Sequence, residues 1–562
     1  MEKKPQIIEQ FVYYFLERPF VKAILLLAML LILVSSIWLV TSESVKVKLL
    51  PNPLADNFSI YVDLPEGKSV YETKEVTECI LNQLKDEESI TDMSVFYGES
   101  APIDFSAMIK GRLFAQGENI ANILVNLKRE DERDETSIHL VHRVRATVNT
   151  NCTMHNNKIK MVQSPAGPPN IASLVLEVTG GESHQDRLKL SKKLLKLFKE
   201  TPRLTDFDIF SDEPYEKYGI KLNEHKINQS GLKIEQVTKI LYLAFKGMDI
   251  AYDNVANAQN QISIHLTLSQ KSKSINSPSK ENLEQKLSSL SLLNPQGMTI
   301  AVNELVTIEK EISNPSIVSK NLSPMIAVVA QTDMESQIYP LLKIRDKILN
   351  DFSDTYEVEK VGMLDLSLLN KETQNRYFLH WDGEQKISMD TVTDLGMALG
   401  VAIVIIFFMM VIYYNSFALA GAIVLASFIS VAGVIYAHFI YDIFTLDTFY
   451  MTGTSLIGFI ALIGINSRNS LLIIDFAQQL MKERGIDARR AIAISIQTRA
   501  KPILLTVLAI IFASMLLATD PVFGGLGVAL IGGTLLAYGV SLFLVPIFVY
   551  GSLKREDLKE KK

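Results

Sequence analysis

Cysteine is scarce in this chain: Cys79 and Cys152 are the only two in 562 residues. No Cys-x-x-Cys or His-Glu-x-x-His pattern occurs, which removes the common zinc-site signatures. Cys152, Met154, His155 and Met161 offer soft ligands, although an Asn-rich hairpin turn accounts for the same residues. Also absent are a Gly-x4-Gly-Lys-[Ser/Thr] loop and a kinase-type glycine loop, so ATP hydrolysis by those devices is excluded. Basic residues do not outnumber acidic ones; the net charge is −6, with no footprint for nucleic acid. Nothing in the sequence implies a bound cofactor or resident metal, and the chain is not read as an enzyme.

What the sequence has is apolar length, unevenly placed. A mean hydropathy of +0.18 averages two different parts. One apolar run, Ala23–Val40, precedes a long polar segment, 42–390. Runs at Leu395–Tyr414, Ala418–Ile440, Tyr450–Ala477, Ile503–Ala518 and Phe523–Tyr550 follow. A helix needs about 20 apolar residues to cross the hydrocarbon, so six spans are expected. A signal peptide is the competing reading of the first run, but the run is long for one and no small-x-small cleavage site follows closely. Ile7, Ile8, Phe11, Tyr14 and Phe15 repeat near helical spacing, as an interfacial helix would.

Orientation follows from the basic residues. Lys482, Arg484, Arg489, Arg490, Arg499 and Lys501 crowd the loop after the fourth span, and Lys554, Arg555, Lys559, Lys561 and Lys562 fill the tail. The opposite short loops carry Asp442, Asp447 and Asp520 and no basic residue. Basic loops stay cytoplasmic, so both termini are expected inside and 42–390 outside. There a disulfide between Cys79 and Cys152 is permitted by compartment, and two free thiols fit the sequence as well.

The outer segment alternates strand and helix patterns. Phe58–Leu64, Thr91–Tyr97, Ile120–Lys128 and Lys158–Val162 read as strands, with helices at Val70–Lys85 and Ser137–Val148. This is the pattern of a ferredoxin-like β-α-β sandwich. Pro165–Pro169 breaks it. Ser173–Val178, Gln185–Glu200 and Asp206–Phe210 begin a second such unit. Pro324–Val329, Ser336–Leu349 and Tyr356–Lys360 complete it, around an intervening stretch of about 225–320. That stretch holds the Ser- and Lys-rich piece Ser269–Ser279 and reads either as a flexible loop or as a projecting docking hairpin.

Arg468 is the most informative single residue. It stands inside Gly464-Ile-Asn-Ser-Arg468-Asn469-Ser-Leu-Leu-Ile-Ile-Asp475-Phe476, within a run long enough to span a bilayer. A cation there costs roughly 2.5–3.5 kcal/mol on insertion scales and normally faces a bundle interior or water cavity with a partner. An ion or proton pathway is the default reading. Cation–carbonyl contacts or snorkelling to the cytoplasm is the plain alternative.

One span, a large outer segment and then five spans resembles half of a resistance-nodulation-division (RND) permease, specifically the C-terminal half. Asp56-Asn-Phe-Ser-Ile-Tyr-Val-Asp-Leu-Pro65-Glu-Gly-Lys-Ser69, Leu222-Asn-Glu-His-Lys226, Trp381-Asp-Gly-Glu384 and Tyr414-Asn-Ser416-Phe417 each resemble stretches of that half. The most specific are the Arg468-Asn469 stretch and Arg499-Ala-Lys-Pro502-Ile-Leu-Leu-Thr506. The family usually has Lys where Arg468 stands. Arg stays protonated and bonds in a planar fork, so Arg468 reads as a fixed counter-cation rather than a proton carrier. The family's membrane acidic pair has no match here.

The resemblance implies a six-span membrane bundle carrying an α+β periplasmic region of ferredoxin-like porter subdomains with a docking insertion. Expected boundaries are 1–22 for the interfacial helix, 23–41 for the first span and 42–165 for the first porter subdomain. The second porter subdomain is expected at 166–224 with 322–390, around a docking insertion at 225–321. Spans two to four fall in 391–478, a basic loop in 479–502, spans five and six in 503–551 and the tail in 552–562. It further implies an inner-membrane proton antiporter of a Gram-negative-type cell, exporting amphiphilic or toxic small molecules. This chain would supply the C-terminal half of a split permease.

The expected partners are a second chain with the acidic pair, a periplasmic adaptor and an outer-membrane channel, in a trimer of heterodimers. Candidate proton-relay residues are Arg468, Asn469, Thr506, Asp475 and Arg499. For Asn469 and Thr506 interhelical hydrogen bonding is the alternative, for Asp475 a mark of the span's cytoplasmic end, and for Arg499 headgroup anchoring. A substrate loop would carry Phe96, Tyr97, Phe105 and Phe114, for which core packing is the alternative. Rival readings are a homomeric half-size porter using Asp475, a metal-exporting variant, and a non-transporting scaffold with a periplasmic binding module.

Overall fold

The computed structural model describes residues 7–50, 55–102, 108, 110, 112, 115–163, 170–212, 214–256, 259, 261–273, 279–333, 336–445 and 447–560. It divides into two compact units, Met1–Phe210 with Ile317–Lys562, and Ser211–Ser316.

In the larger unit, α1 (Ile7–Glu17) and α2 (Pro19–Thr41) come first. Then follow β1 (Asn57–Asp63), α3 (Val70–Leu84), β2 (Ile90–Tyr97), β3 (Ile120–Leu127), α4 (Ser137–Asn151) and β4 (Lys158–Gln163). The four strands form an antiparallel sheet in the order β2-β3-β1-β4. The two-residue period of a strand sorts β1 cleanly. Phe58, Ile60 and Val62 enter the core with Val76 and Ile80 of α3 and Leu140 and Val144 of α4. Ser59, Tyr61 and Asp63 therefore take the other face. Helix starts follow local chemistry: Ser69 and Glu72 make a reciprocal capping box on α3, and Thr136 caps α4.

Cys79 of α3 and Cys152, just past α4, are disulfide-bonded across 73 residues of sequence. The bond consumes the Cys152 thiol, so the soft-ligand reading of Cys152, Met154, His155 and Met161 is corrected.

The second sheet uses β5 (Leu174–Gly180), β6 (Leu204–Phe210), β11 (Ser323–Thr332), β12 (Tyr356–Val361), β13 (Asp365–Asn370) and β14 (Arg376–Asp382). β11 pairs β5 on one edge and β6 on the other, and the sheet continues β5-β14-β13-β12. Leu174, Leu176 and Val178 pack under α5 (His184–Lys199) and α8 (Ile338–Asp351). Trp381 stacks on Phe198 in that core. The β13–β14 hairpin was not anticipated; the sequence around Trp381 reads only as an approach to a span.

The smaller unit holds β7 (Glu216–Leu222), α6 (Ile234–Phe245), β8 (Met248–Asp253), β9 (Ile262–Leu266), α7 (Lys280–Ser288) and β10 (Val306–Ile312). β7 pairs antiparallel with β10, and β8 with β9. This unit takes in β7, which precedes the boundary expected at 225, because β7 finds its partner in β10.

Five long helices close the chain: α9 (Glu384–Tyr414), α10 (Phe417–Phe444), α11 (Gly453–Arg484), α12 (Ala488–Ala518) and α13 (Gly524–Glu560). With α2 they make six helices, among the described residues, that are long and apolar enough to cross a membrane. α10, α11, α12 and α13 share one core, against which Val12, Phe15 and Leu16 of α1 are buried. Glycine sets the closeness of α10 and α13: a Cβ on Gly433 would collide with the Gly532 carbonyl oxygen. By contrast, only 6% of the apolar stretch of α9 is buried.

Candidate functional site on the open face of the fourth long helix

Helix α11 presents two chemically different sides. Asn466, Ser467, Asn469 and Ser470 are buried, as are Leu462, Ile463, Ile473 and Ile474. Ile457, Ala461, Gly464, Arg468 and Gln479 are exposed, and Asp475 is half-buried. These positions recur at three- and four-residue steps, so they line one face. Among the described residues no helix covers that face at Gly464, where an added Cβ would meet nothing within 4 Å.

Arg468 lies on this open face, not in the interior of the chain's own bundle, and pairs with no described residue. Asp475, two turns on, does not serve it. Asp475 Oδ2 accepts a hydrogen bond from Tyr413 Oη at 3.0 Å, and Oδ1 one from Tyr414 Oη at 3.2 Å. Tyr414 is buried at the end of α9, whereas Tyr413 is exposed.

The other proposed relay residues are dispersed. Asn469 is buried, with its Nδ2 unpaired among the described residues. The Thr506 hydroxyl donates to the Pro502 carbonyl one turn back, at 3.0 Å. The Arg499 guanidinium sits 4.9 Å from the centre of the Phe476 ring. The geometry thus sets Arg468 and Asp475 on one face and leaves Thr506 and Arg499 on local partners.

Polar residues that sequence reasoning missed lie behind that face. Ser541 of α13 donates to Asn466 Oδ1 at 3.2 Å. His438 of α10 is fully buried. Its Nδ1 lies 2.8 Å from the Val434 carbonyl, which can only accept, so Nδ1 carries a proton. Its Nε2 lies 2.9 Å from Ser455 Oγ at the start of α11. An isolated histidine in an apolar run was the available signal.

Of the substrate-loop residues, Phe105 and Phe114 lie outside the described residues. Tyr97 packs against the first-sheet core, and Phe96, one residue earlier, points to the opposite face. On that opposite face the first sheet meets β6 through charges. Arg112 pairs with Asp63 at 2.5 Å, Lys160 with Asp63 at 3.1 Å, and Lys160 also with Asp208. Burial alone would push the Asp63 carboxyl up, but Lys160 and Arg112 outweigh it and hold it below the usual range. Asp208 is likewise held low against burial, chiefly by Lys160 and Lys158. Asp206 goes the other way, raised by burial despite Arg145 nearby.

Residues 9–551 match the model of the AcrB/AcrD/AcrF family. The chain belongs to that family. It is 27% identical over 153 residues to the multidrug export protein AcrF of Escherichia coli (strain K12), a region that is 26% of this chain and 14% of that protein. Its fold is similar to the crystal structure of a heavy metal efflux pump, with a TM-score of 0.70 and 14% identity. That likeness covers 97% of this chain and 52% of the pump chain, so this chain spans about half the pump's length. The family consists of membrane transporters, and the apolar helices mark this member as a multi-pass membrane protein.

Proposed function

We propose that this chain is a subunit of a proton-motive-force-driven RND efflux transporter and supplies the C-terminal half of a split permease. The observation that carries the reading is Arg468. It stands exposed on a helix of membrane-spanning length, on an open face lined by the small residues Ala461 and Gly464. A cation left so in hydrocarbon is unfavourable, and small residues let another helix approach closely. A second chain carrying membrane carboxylates fits that face. Protonating such a carboxylate would release Arg468, and the resulting helix shift would drive the outer subdomains.

The homomeric alternative is less well supported. Two copies meeting at this face would bring Arg468 against Arg468, and Asp475 is already engaged by Tyr413 and Tyr414. The strand order β2-β3-β1-β4 with two crossover helices supports the ferredoxin-like porter reading. The Cys79–Cys152 bond supports an oxidising, outer location for that subdomain. Amphiphilic or toxic small molecules are the substrate class, with a periplasmic adaptor and an outer-membrane channel completing three heterodimers in the inner membrane.

The test is Arg468→Met beside Arg468→Lys, made in the chain's own cells. Arg468→Met is expected to abolish energy-dependent ethidium export at normal membrane levels, and Arg468→Lys to retain part of it. Unchanged export in Arg468→Met removes the relay. Purification of an active assembly containing this chain alone removes the split.

A further inference from the structure

The segment after α2 joins parts of the larger unit that are otherwise far apart in sequence. Val45, Lys48 and Leu49 are buried. On one side this strap bonds the start of α11. Val47 bridges Met451, Met451 N donates to Lys46 O at 2.9 Å, Lys48 N donates to Met451 O at 3.2 Å, and Gly453 N donates to Leu49 O at 2.9 Å. On its other side it bonds the residues that begin α8. Ser336 Oγ donates to Val47 O at 2.6 Å, and Val47 N donates to Tyr339 Oη at 3.3 Å. The same region holds α9, since Gln337 Nε2 donates to Ser388 Oγ at 3.0 Å. The loop before α11 is also held from the first subdomain, where His139 Nε2 lies 2.5 Å from Asp447 Oδ1.

The Lys48 Nζ sits 5.6 Å from the centre of the Tyr450 ring, so the strap's side chain as well as its backbone engages the residues leading into α11. The start of α11 is itself rigid. Thr452 and Ser455 form a reciprocal cap, and Ser455 is bound to His438. A displacement of Met451–Gly453 therefore moves the helix as a body, Arg468 included.

We infer that Val45–Leu49 is a coupling strap that fixes the outer end of the Arg468 helix to the second outer subdomain, with Lys48, Ser336 and Tyr339 as positioning residues. Its purpose rests on the transporter reading, whereas its mechanical content does not. A lost hydrogen bond of ordinary strength changes local opening by roughly two- to tenfold, which hydrogen exchange reads directly.

The experiment is hydrogen-exchange mass spectrometry on the full-length chain with Ser336→Ala and Tyr339→Phe combined. Both side chains bond the strap at Val47. Exchange is expected to rise in 45–49 and, by a similar factor, in 451–456. A rise confined to 45–49, with 451–456 at the wild-type rate, overturns the inference. Should the double variant fail to fold, His139→Gln supplies the second arm, with raised exchange expected at 447–453 and an unchanged rate counting against the strap. In export assays with ethidium, Lys48→Met is expected to lose activity that Lys48→Arg restores. Loss in both, or in neither, counts against Lys48 as a positioning residue. Failure of the transport reading would leave the exchange result decisive.

Discussion

Tyr414 donates its hydroxyl proton to Asp475 across α9 and α11, at 3.2 Å. The pair joins the C-terminal end of a helix that is otherwise almost uncovered to the helix that carries Arg468. α9 begins directly after β14, whose Trp381 is locked in the second-sheet core. It is thus anchored at its N-terminal end by that core and by Gln337, and at its C-terminal end by Asp475.

The anchor at Asp475 can be weighed by mutation. A hydrogen bond to a charged group contributes about 1.5–3 kcal/mol. Tyr414→Phe is expected to destabilise the detergent-solubilised chain by about that amount, and Asp475→Asn somewhat less, because an amide still accepts. The double variant should fall short of the sum by about 0.5–3 kcal/mol, as groups in direct contact do. Thermal unfolding of the four proteins measures the cycle, and strict additivity would exclude the bond.

The anchor also shows where sequence reading stopped. The strand and helix pattern of residues 42–390 was legible because burial imposes a period of two on strands such as Phe58–Val62 and leaves helices amphipathic. Arg468 was legible because a cation is conspicuous among apolar residues. Which way it points was not, since a spanning helix is apolar on every side and its moment carries no direction. The sequence suggested a partnered interior cation, and the residue lies on an open face. Tyr414 read only as the end of an apolar run and the start of a turn, because nothing local tells a tyrosine that its acceptor is 61 residues away. β13 and β14 went unread for a similar reason: what fixes them in the sheet is the pairing of β14 with β5, which is tertiary.

The Cys79–Cys152 bond closes a long loop in the first subdomain. Its loss is expected to cost about 2–5 kcal/mol, as is usual for a native disulfide. Alkylation before and after reduction should show a mass difference of two thiols in the purified chain. Cys79→Ser with Cys152→Ser should make 57–163 markedly more sensitive to protease, while the helices beyond 384 stay resistant.

The charges between the first sheet and β6 give a pH dependence with a definite sign. Asp63 and Asp208 titrate below the ordinary aspartate value of about 3.9. The stability they contribute is therefore present above that value and is lost as pH falls through their lower folded values. Lys160 is raised: burial lowers it, but Asp63 and Asp208 prevail. Its contribution is complete below the ordinary lysine value of about 10.4 and disappears as pH rises through the higher folded one. Asp206, raised by burial, opposes the first pair, because its unfavourable charge is relieved on acidification. Lys160→Met leaves Asp63 and Asp208 without their shared cation. By unfolding followed with near-ultraviolet circular dichroism, the variant is expected to be less stable than the wild type at neutral pH and to lose less stability between neutral pH and about pH 3. An unchanged stability at neutral pH, or an unchanged pH slope, would mean that the shared cation does not hold the two sheets.

Two glycines distinguish packing inside the chain from the proposed packing against a partner. At Gly433 a Cβ would strike the Gly532 carbonyl and the Leu536 side chain. Gly433→Ala is therefore expected to destabilise the chain itself by about 1–3 kcal/mol, the usual penalty for overpacking. Gly464 lies on the open face beside Arg468, and a Cβ there meets nothing. Gly464→Leu should leave the unfolding temperature of the isolated chain unchanged, or raise it slightly, since leucine is the better helix former. In the native membrane the same substitution should block close approach of a second helix and lower both co-purification of the partner chain and ethidium export. If Gly464→Leu leaves assembly and export intact, lipid alone covers this face, and Arg468 must find its counter-charge elsewhere.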